Sequence, residues 1–314
     1  MAAAATTITM EDLPGDVLAC ALRRLDGLSL ATASCATAGL RALAEDPETW
    51  RALCLSRWPS LAAAAAAQQQ RCFLSGAVSP RRLFADAFPF PCVNAAAAPL
   101  DGDDQRPLPG EIVSAVDVYH RGAAIVSRVV ETSTSSSWFL TSPFCVDVVE
   151  CKNPVTAASV SPAELELSWI VVDPASGRAV NVSSRRPVAV ERHWYTGDTL
   201  VRYAVVLGGC KFEATVSCSE DTGQLTEVSL AVDDADGAAV SGEGCLRLLA
   251  AAMAGPRKGG KNQEEEAKRR YDEFVRRKRG RKESKARREV LVDLCCSAVS
   301  AVAVLSFLAA VVLR

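Results

Sequence analysis

From residue 111 to residue 240 the chain repeats one local pattern, and that pattern limits the folds open to it. Short runs rich in β-branched residues follow one another: "IVSAVDV", "AAIVSRVVE", "FCVDVVE", "LELSWIVV", "VAVERHW", "LVRYAVVL", "CKFEATVSC" and "QLTEVSLAV". Turn signals such as "DPASG", "LGG", "EDTG" and "DADG" separate several of them. In the clearest run Cys210, Phe212, Ala214, Val216 and Cys218 alternate with Lys211, Glu213, Thr215 and Ser217. Side chains on a strand point to opposite faces with period two, so this run reads as a sheet with one apolar and one wet face. No alternating helices interrupt the series. An antiparallel β-sandwich or barrel-like domain follows, closed by a helix at "CLRLLAAAM".

Ahead of this region the apolar spacing is helical. In "DLPGDVLACALRRLDGLS" the residues Val17, Leu18, Ala21, Leu22 and Leu25 form one stripe. Pro14 suits the start of that helix, because the N–H it lacks would have had no partner there. "GLSLATASCATAGLRALAEDPETWRALCLSRW" adds two or three short helices, with Pro47 and Trp50 in the last. A module of about 45 residues buries too little surface to be comfortable alone. Its leading Leu-Pro and its leucines are explained better by docking on a partner than by its own core.

Leu13-Pro14, Val17-Leu18, Leu22, Leu25, Leu28, Ser34-Cys35, Leu40-Arg41, Asp46-Pro47 and Trp50 stand in the order and spacing of an F-box, and the segment resembles that family. The resemblance implies a non-catalytic substrate-recognition subunit that plugs into a Skp-family adaptor and, through it, a cullin–RING ubiquitin ligase. Under it, Leu13, Pro14, Leu18, Leu22, Leu25 and Leu28 are the adaptor contacts, while Val17, Ala21 and Trp50 pack inside. The alternative is an ordinary three-helix bundle whose leucines are all core. Leu40 stands where many F-boxes have Trp. Longer segments, among them "RRLFADAFPFP", "EIVSAVDVYHRG" and "ETSTSSSWFLTSPFCVDV", resemble a plant F-box group that includes the cytokinin-induced F-box protein. Members of that group combine an N-terminal F-box, a middle region and a C-terminal membrane segment.

Charge is segregated along the chain. From Arg257 to Glu289 there are 15 Lys or Arg against 7 Asp or Glu, a net of +8, while residues 1 to 256 carry a net of −10. The basic run reads as a helix from Asn262, with pairs such as Glu264/Lys268 and Glu273/Arg277 at i,i+4. Its apolar residues, Tyr271, Phe274 and Val275, are too thin a stripe for core packing. Three uses are open to it: a solvated spacer that also attracts anionic membrane lipid, a nuclear signal in "RRKRGRK", or, least favoured, nucleic-acid binding, which no aromatic or glycine-rich element supports. "LCCSAVSAVAVLSFLAAVVL" then runs 20 residues without a charge, long enough at about 1.5 Å per residue to cross a bilayer. This predicts a single-pass, tail-anchored protein with its N-terminal body cytosolic. At its mouth, Cys295 and Cys296 are either acylation sites or small packing residues.

The expected organisation is therefore a fold of α+β multidomain class. It comprises a disordered N-terminus over 1–10, an F-box over 11–60, a helical or low-complexity extension over 61–91, and a linker over 92–110. A β-rich substrate- or ligand-binding domain over 111–254, a basic helix over 255–289 and a transmembrane helix over 290–313 complete it. Twelve scattered cysteines without a CxxC pair suggest free thiols in a reducing compartment. Catalysis finds little support: His120 and His193 are the chain's histidines, and no P-loop, GxGxxG or zinc spacing is present. No cofactor is expected. In "SSSWFLTSPF", Trp138 and Phe139 are either anchors for an unknown protein substrate or core fillers. The rival to the ligase reading is a membrane-anchored lectin-like or scaffold protein. Asn181 in "NVS" is a glycosylation sequon only for a lumenal body.

Overall fold

The structure is a computed structural model that describes residues 13–66, 79–88, 90–91, 108–149, 160–258 and 262–313. The disorder expected over 1–10 and nearly all of the linker expected over 92–110 lie outside the described residues.

Among the described residues the chain opens with helices: α1 (Gly15–Leu22), α2 (Gly27–Ala33), α3 (Ala38–Ala44), α4 (Pro47–Arg57), α5 (Pro59–Ala66) and α6 (Pro80–Ala87). Short side-chain caps set the boundaries. Asp26, Thr37 and Asp46 accept the exposed N–H groups at the starts of α2, α3 and α4, and Pro47 occupies the first turn of α4. The strands follow: β1 (Phe90–Pro91), β2 (Glu111–His120), β3 (Ala123–Ser133), then helix α7 (Ser137–Thr141) and β4 (Cys145–Val149). After them come β5 (Leu165–Asp173), β6 (Arg178–Asn181), β7 (Ala189–Arg192), β8 (Thr199–Leu207), β9 (Cys210–Cys218) and β10 (Leu225–Asp233). Helix α8 (Gly242–Ala254), the short β11 (Arg257–Lys258) and helix α9 (Gln263–Val312) complete the order.

Two antiparallel sheets hold the centre, one ordered β4-β10-β9-β8-β7 and the other β3-β2-β5-β6, with a small β1-β11 pair beside them. The β8–β9 hairpin turns at Gly208 and Gly209, both with positive φ, the two-residue geometry that suits the twist of paired strands. Facing side chains from the two sheets form one core, with Val116, Trp169 and Val180 on one side and Tyr203, Phe212, Val216 and Leu230 on the other. Cys245, Leu246 and Leu249 of α8 join the same core.

The outer face of the four-stranded sheet is not wet. Along β2, residues Ile112 to Tyr119 are buried without interruption. Ile112, Val116 and Val118 point into the sandwich, while Val113 and Ala115 meet the N-terminal helices. There Val113, Ala115, Ile170, Val172 and Ala179 share a second core with Leu22, Leu30, Trp50, Trp58, Leu61, Leu83 and Phe84. Polar contacts seal the joint: Trp58 Nε1 donates to Ser168 Oγ at 3.1 Å, and the Tyr119 hydroxyl donates to the Arg57 carbonyl at 2.6 Å.

Helix α9 covers the opposite outer face. Tyr271 and Phe274 are each only 7% exposed, so the stripe that sequence spacing reads as too thin does pack. Two large rings bury enough area where a run of aliphatic residues is missing, and Tyr271 meets Val188 and Ala204 on the sheet. Lys211, expected on the wet face of β9, lies under Phe274, with its ammonium 5.9 Å from the ring centre. The same ammonium pairs with Glu213 at 2.8 Å. Further along, Lys278 reaches Asp233 at 3.4 Å and Arg281 reaches Asp236 at 2.9 Å. The basic helix and the acidic body are thus two halves of one electrostatic contact.

The expected transmembrane helix is not borne out, and with it fall the tail anchor, the single-pass localisation and the membrane-lipid partner. Helix α9 is one rod of 50 residues in which the apolar end continues the charged segment. Among the described residues no helix is long and apolar enough to cross a membrane. Polar groups punctuate the described part: Asp293 lies among the aliphatic residues, and the hydroxyls of Ser297 and Ser300 each donate to a carbonyl one turn back at 2.8 Å.

Candidate functional site

The first helices present their leucines unequally. Pro14 precedes α1 with an extended backbone, so the chain enters the helix from outside, and Leu13 and Pro14 are exposed. Leu13 is 39% exposed, Val17 49% and Leu28 61%, which leaves three large apolar side chains at the front of the module facing solvent. Leu18 and Leu25 are half-buried, and Leu25 packs against the helical core. Leu22 is buried at 5% exposure. Of the six sequence-selected positions, Leu13, Pro14 and Leu28 therefore offer free surface, Leu18 and Leu25 offer an edge, and Leu22 faces inward.

What holds these positions in place is local. Asp26 accepts from the Ser29 N–H and the Ser29 hydroxyl, both at 2.9 Å, which fixes the turn from α1 into α2 and sets Leu28 outward. Those bonds hold the Asp26 carboxyl below its ordinary value. Gly27 lies against the Phe84 ring, which approaches to 2.1 Å from where a Cβ would stand. No other residue would let α2 start so close to α6. Asp46 accepts from the Thr49 hydroxyl at 2.6 Å, a bond that likewise lowers its carboxyl. Trp50 closes the module, its Nε1 donating to the Ala44 carbonyl at 2.6 Å.

In the β region the pair Trp138-Phe139 splits. Phe139 is 9% exposed and meets Phe144 edge-on at 6.1 Å, whereas Trp138 is 75% exposed on α7. A second aromatic surface escaped the sequence reading. Trp194 is 89% exposed and Tyr195 79%, with ring centres 5.6 Å apart. They follow β7, which ends its sheet, and Val190 on that strand is 47% exposed. The signal was present in "VERHWY", but a strand with alternating apolar residues gives no hint of which end of a sheet it occupies. Each histidine accepts a backbone N–H, His193 within its own loop and His120 from a segment 41 residues later. His193 Nδ1 accepts from the Thr196 N–H at 3.2 Å, and His120 Nε2 accepts from the Ser161 N–H at 3.4 Å. Among the described residues no group of three His, Cys, Asp or Glu side chains is placed to hold a metal ion.

The chain aligns with plant proteins over most of its length. "Probable F-box protein At2g36090" of Arabidopsis thaliana is 36% identical over 285 residues, which cover 87% of this chain and 84% of that protein. The chain belongs to the F-box protein family. "F-box protein At3g44326" from the same plant is 36% identical over 301 residues, 85% of this chain and 80% of its own. "F-box protein At2g27310", also from Arabidopsis thaliana, is 33% identical over 304 residues, 88% of each. No family model matches, and no solved structure matches. The F-box identity therefore rests on alignment along nearly the whole chain, and it agrees with solvent-facing Leu13, Pro14 and Leu28 at the front of the helical module.

Proposed function

We propose that this F-box protein is the substrate-receptor subunit of an SCF-type cullin–RING ubiquitin ligase. Leu13, Pro14 and Leu28, flanked by the half-buried Leu18 and Leu25, dock a Skp-family adaptor, and the adaptor brings the cullin. Ubiquitin transfer chemistry belongs to the other subunits, and this chain contributes recognition. One observation carries the reading: large apolar side chains stand in water at the front of an F-box whose Leu22 and Leu30 are already spent on its own core. Leu13→Ala with Pro14→Ala in the full chain is expected to abolish adaptor pull-down while leaving the β region folded. Unchanged pull-down would sink the assignment.

The target binds through the β region in this reading, with Trp138 as an anchor and the Trp194/Tyr195 platform as a second. Trp138→Ala should then raise the steady-state level of the target in cells, without altering adaptor binding. Neighbouring solvent-facing rings, tilted 59° to each other beside an edge strand, also suit the face of a sugar, which favours a lectin-like binding protein as the second reading. A glycan-array signal lost in Trp194→Ala would select it. Placement in the cytokinin-induced group rests on the resembling segments, and transcript induction by cytokinin tests it.

A further inference from the structure

Where the end of α4, the end of α6, strand β5 and the start of α9 converge, the surface folds in to a cleft of about 450 Å³. Three guanidinium groups line it: Arg57, Arg185 and Arg186. Arg185 is held rigidly. Its Nε donates to Glu166 at 2.7 Å, and its guanidinium lies 4.2 Å over the Tyr119 ring. Its Nη1 is buried with no hydrogen-bond partner. A guanidinium N–H buried without an acceptor is costly, and in native proteins such a group usually marks something that belongs there.

The carboxylates of the cleft do not fill that role. Glu166 is engaged by Arg185 Nε, and Glu264 accepts the backbone N–H groups of Arg185 and Arg186 at 3.0 Å each. Glu265 stands exposed at the rim. Arg57 lies 5.4 Å over the Phe88 ring and, like the Arg186 side chain, makes no ion pair among the described residues. Burial, followed by the like charge of Arg185, pulls the Arg57 guanidinium below its ordinary value. Neutral donors complete the wall. The Ser168 hydroxyl accepts from Trp58 and keeps its own proton to give, and Asn181 brings a side-chain amide.

We propose that this cleft binds a small phosphorylated molecule, its phosphate held by Arg57, Arg185 and Arg186. A phosphate offers three oxygens and close to two negative charges to planar donors that match it in pairs. A lone carboxylate would leave one guanidinium unmatched. The volume falls within the range of about 300–1,000 Å³ usual for small-ligand pockets. Because helices of the F-box side, the sheet and α9 all contribute, the ligand would bind three layers of the fold together. The site stands independently of whether the chain docks an adaptor.

The test is calorimetric titration of the full chain with pyrophosphate and with inorganic phosphate at constant ionic strength, with sodium acetate as the carboxylate control. Saturable, one-to-one binding is expected, tighter for pyrophosphate than for phosphate and absent for acetate. Arg57→Gln with Arg186→Gln should weaken pyrophosphate by at least about tenfold, the loss of two charge-assisted contacts. Both residues are exposed overall, and the partly covered Arg57 guanidinium makes no ion pair among the described residues, so this variant is expected to melt within a few degrees of the wild-type temperature without ligand. Arg185→Lys, which keeps the charge and loses the paired donors, should weaken binding as well. Absence of saturable binding, or equal affinity in the double variant, would overturn the proposal.

Discussion

Ser60 donates both its backbone N–H and its hydroxyl to the carboxylate of Asp117, at 2.7 and 2.6 Å, from a position 57 residues earlier in the chain. Asp117 has no exposed surface, and it stands on the strand face that the helices cover. The contact therefore fixes where α5 sits on β2. Asp117→Ala would leave two buried donors without an acceptor, and a loss of about 2–3 kcal/mol is expected in urea unfolding.

The same carboxyl gives a pH signature. Burial raises it above the ordinary 3.8, although hydrogen bonds from Ser60 and Ser127 oppose the shift. A carboxyl raised on folding favours the folded state most when protonated. Its contribution is full below 3.8 and is lost as pH rises through the folded value. Asp117→Asn cannot titrate, so wild-type stability measured relative to that variant should fall as the pH is raised from 3.8 through the folded value. A flat difference over that range would contradict the assignment.

Two leucines six residues apart should separate folding from docking. Leu22 is 5% exposed and Leu28 61%. Leu22→Asp buries an unpaired charge and should unfold the helical module, seen as lost helical circular dichroism. Leu28→Asp should stay within about 0.5 kcal/mol of wild type in stability. Its adaptor affinity should nevertheless drop at least about tenfold, read by surface plasmon resonance.

Local pattern carried the strands well, because period-two alternation and glycine turns are written within each segment. Cys210–Cys218 and the Gly208-Gly209 turn after "VVL" formed as their residues demand. Layering was not legible. Asp117 and Lys211 look like solvent-facing positions, yet each is buried, because helices distant in sequence cover both outer faces of the sandwich. The helical stripe of leucines was legible as a group, but single-sequence spacing could not tell inward Leu22 from outward Leu28. Leu22 joins a buried core that also holds Phe84, whose helix begins more than fifty residues later. The apolar tail was misread for a related reason: a count of uncharged residues ignores the polar groups inside it and the helix it continues.

Phe274 anchors α9 on the five-stranded sheet despite the helix's charge. Phe274→Ala should cost about 2–3 kcal/mol, toward the low end for a buried ring because one side of the helix stays in water. Hydrogen exchange should then quicken in α9 from Gln263 through Arg281, where the helix lies on the sheet, with little change in the β2–β5 ladder. Equal protection in the variant would mean that the ion pairs of Lys278 and Arg281 hold the helix unaided.

Asp86 makes the other long-range knot. Arg178 donates to it through Nε at 2.7 Å and Nη2 at 3.3 Å, and the Ala179 N–H points to the same carboxylate at 3.4 Å. Arg257 reaches the Asp86 carbonyl at 3.1 Å and the Ala179 carbonyl at 2.9 Å, so α6, β6 and β11 meet at one residue. Asp86 is 9% exposed at its side chain and Arg178 25%, which lets water solvate part of the cation. Removing the carboxylate leaves Arg178 incompletely paired, and Asp86→Ala should cost about 2–3 kcal/mol, less than a fully buried pair would. Arg178→Met in the Asp86→Ala background removes the stranded charge and should restore at least about 1 kcal/mol. Independent, additive losses in that double-mutant cycle would show that the two side chains do not act as a pair.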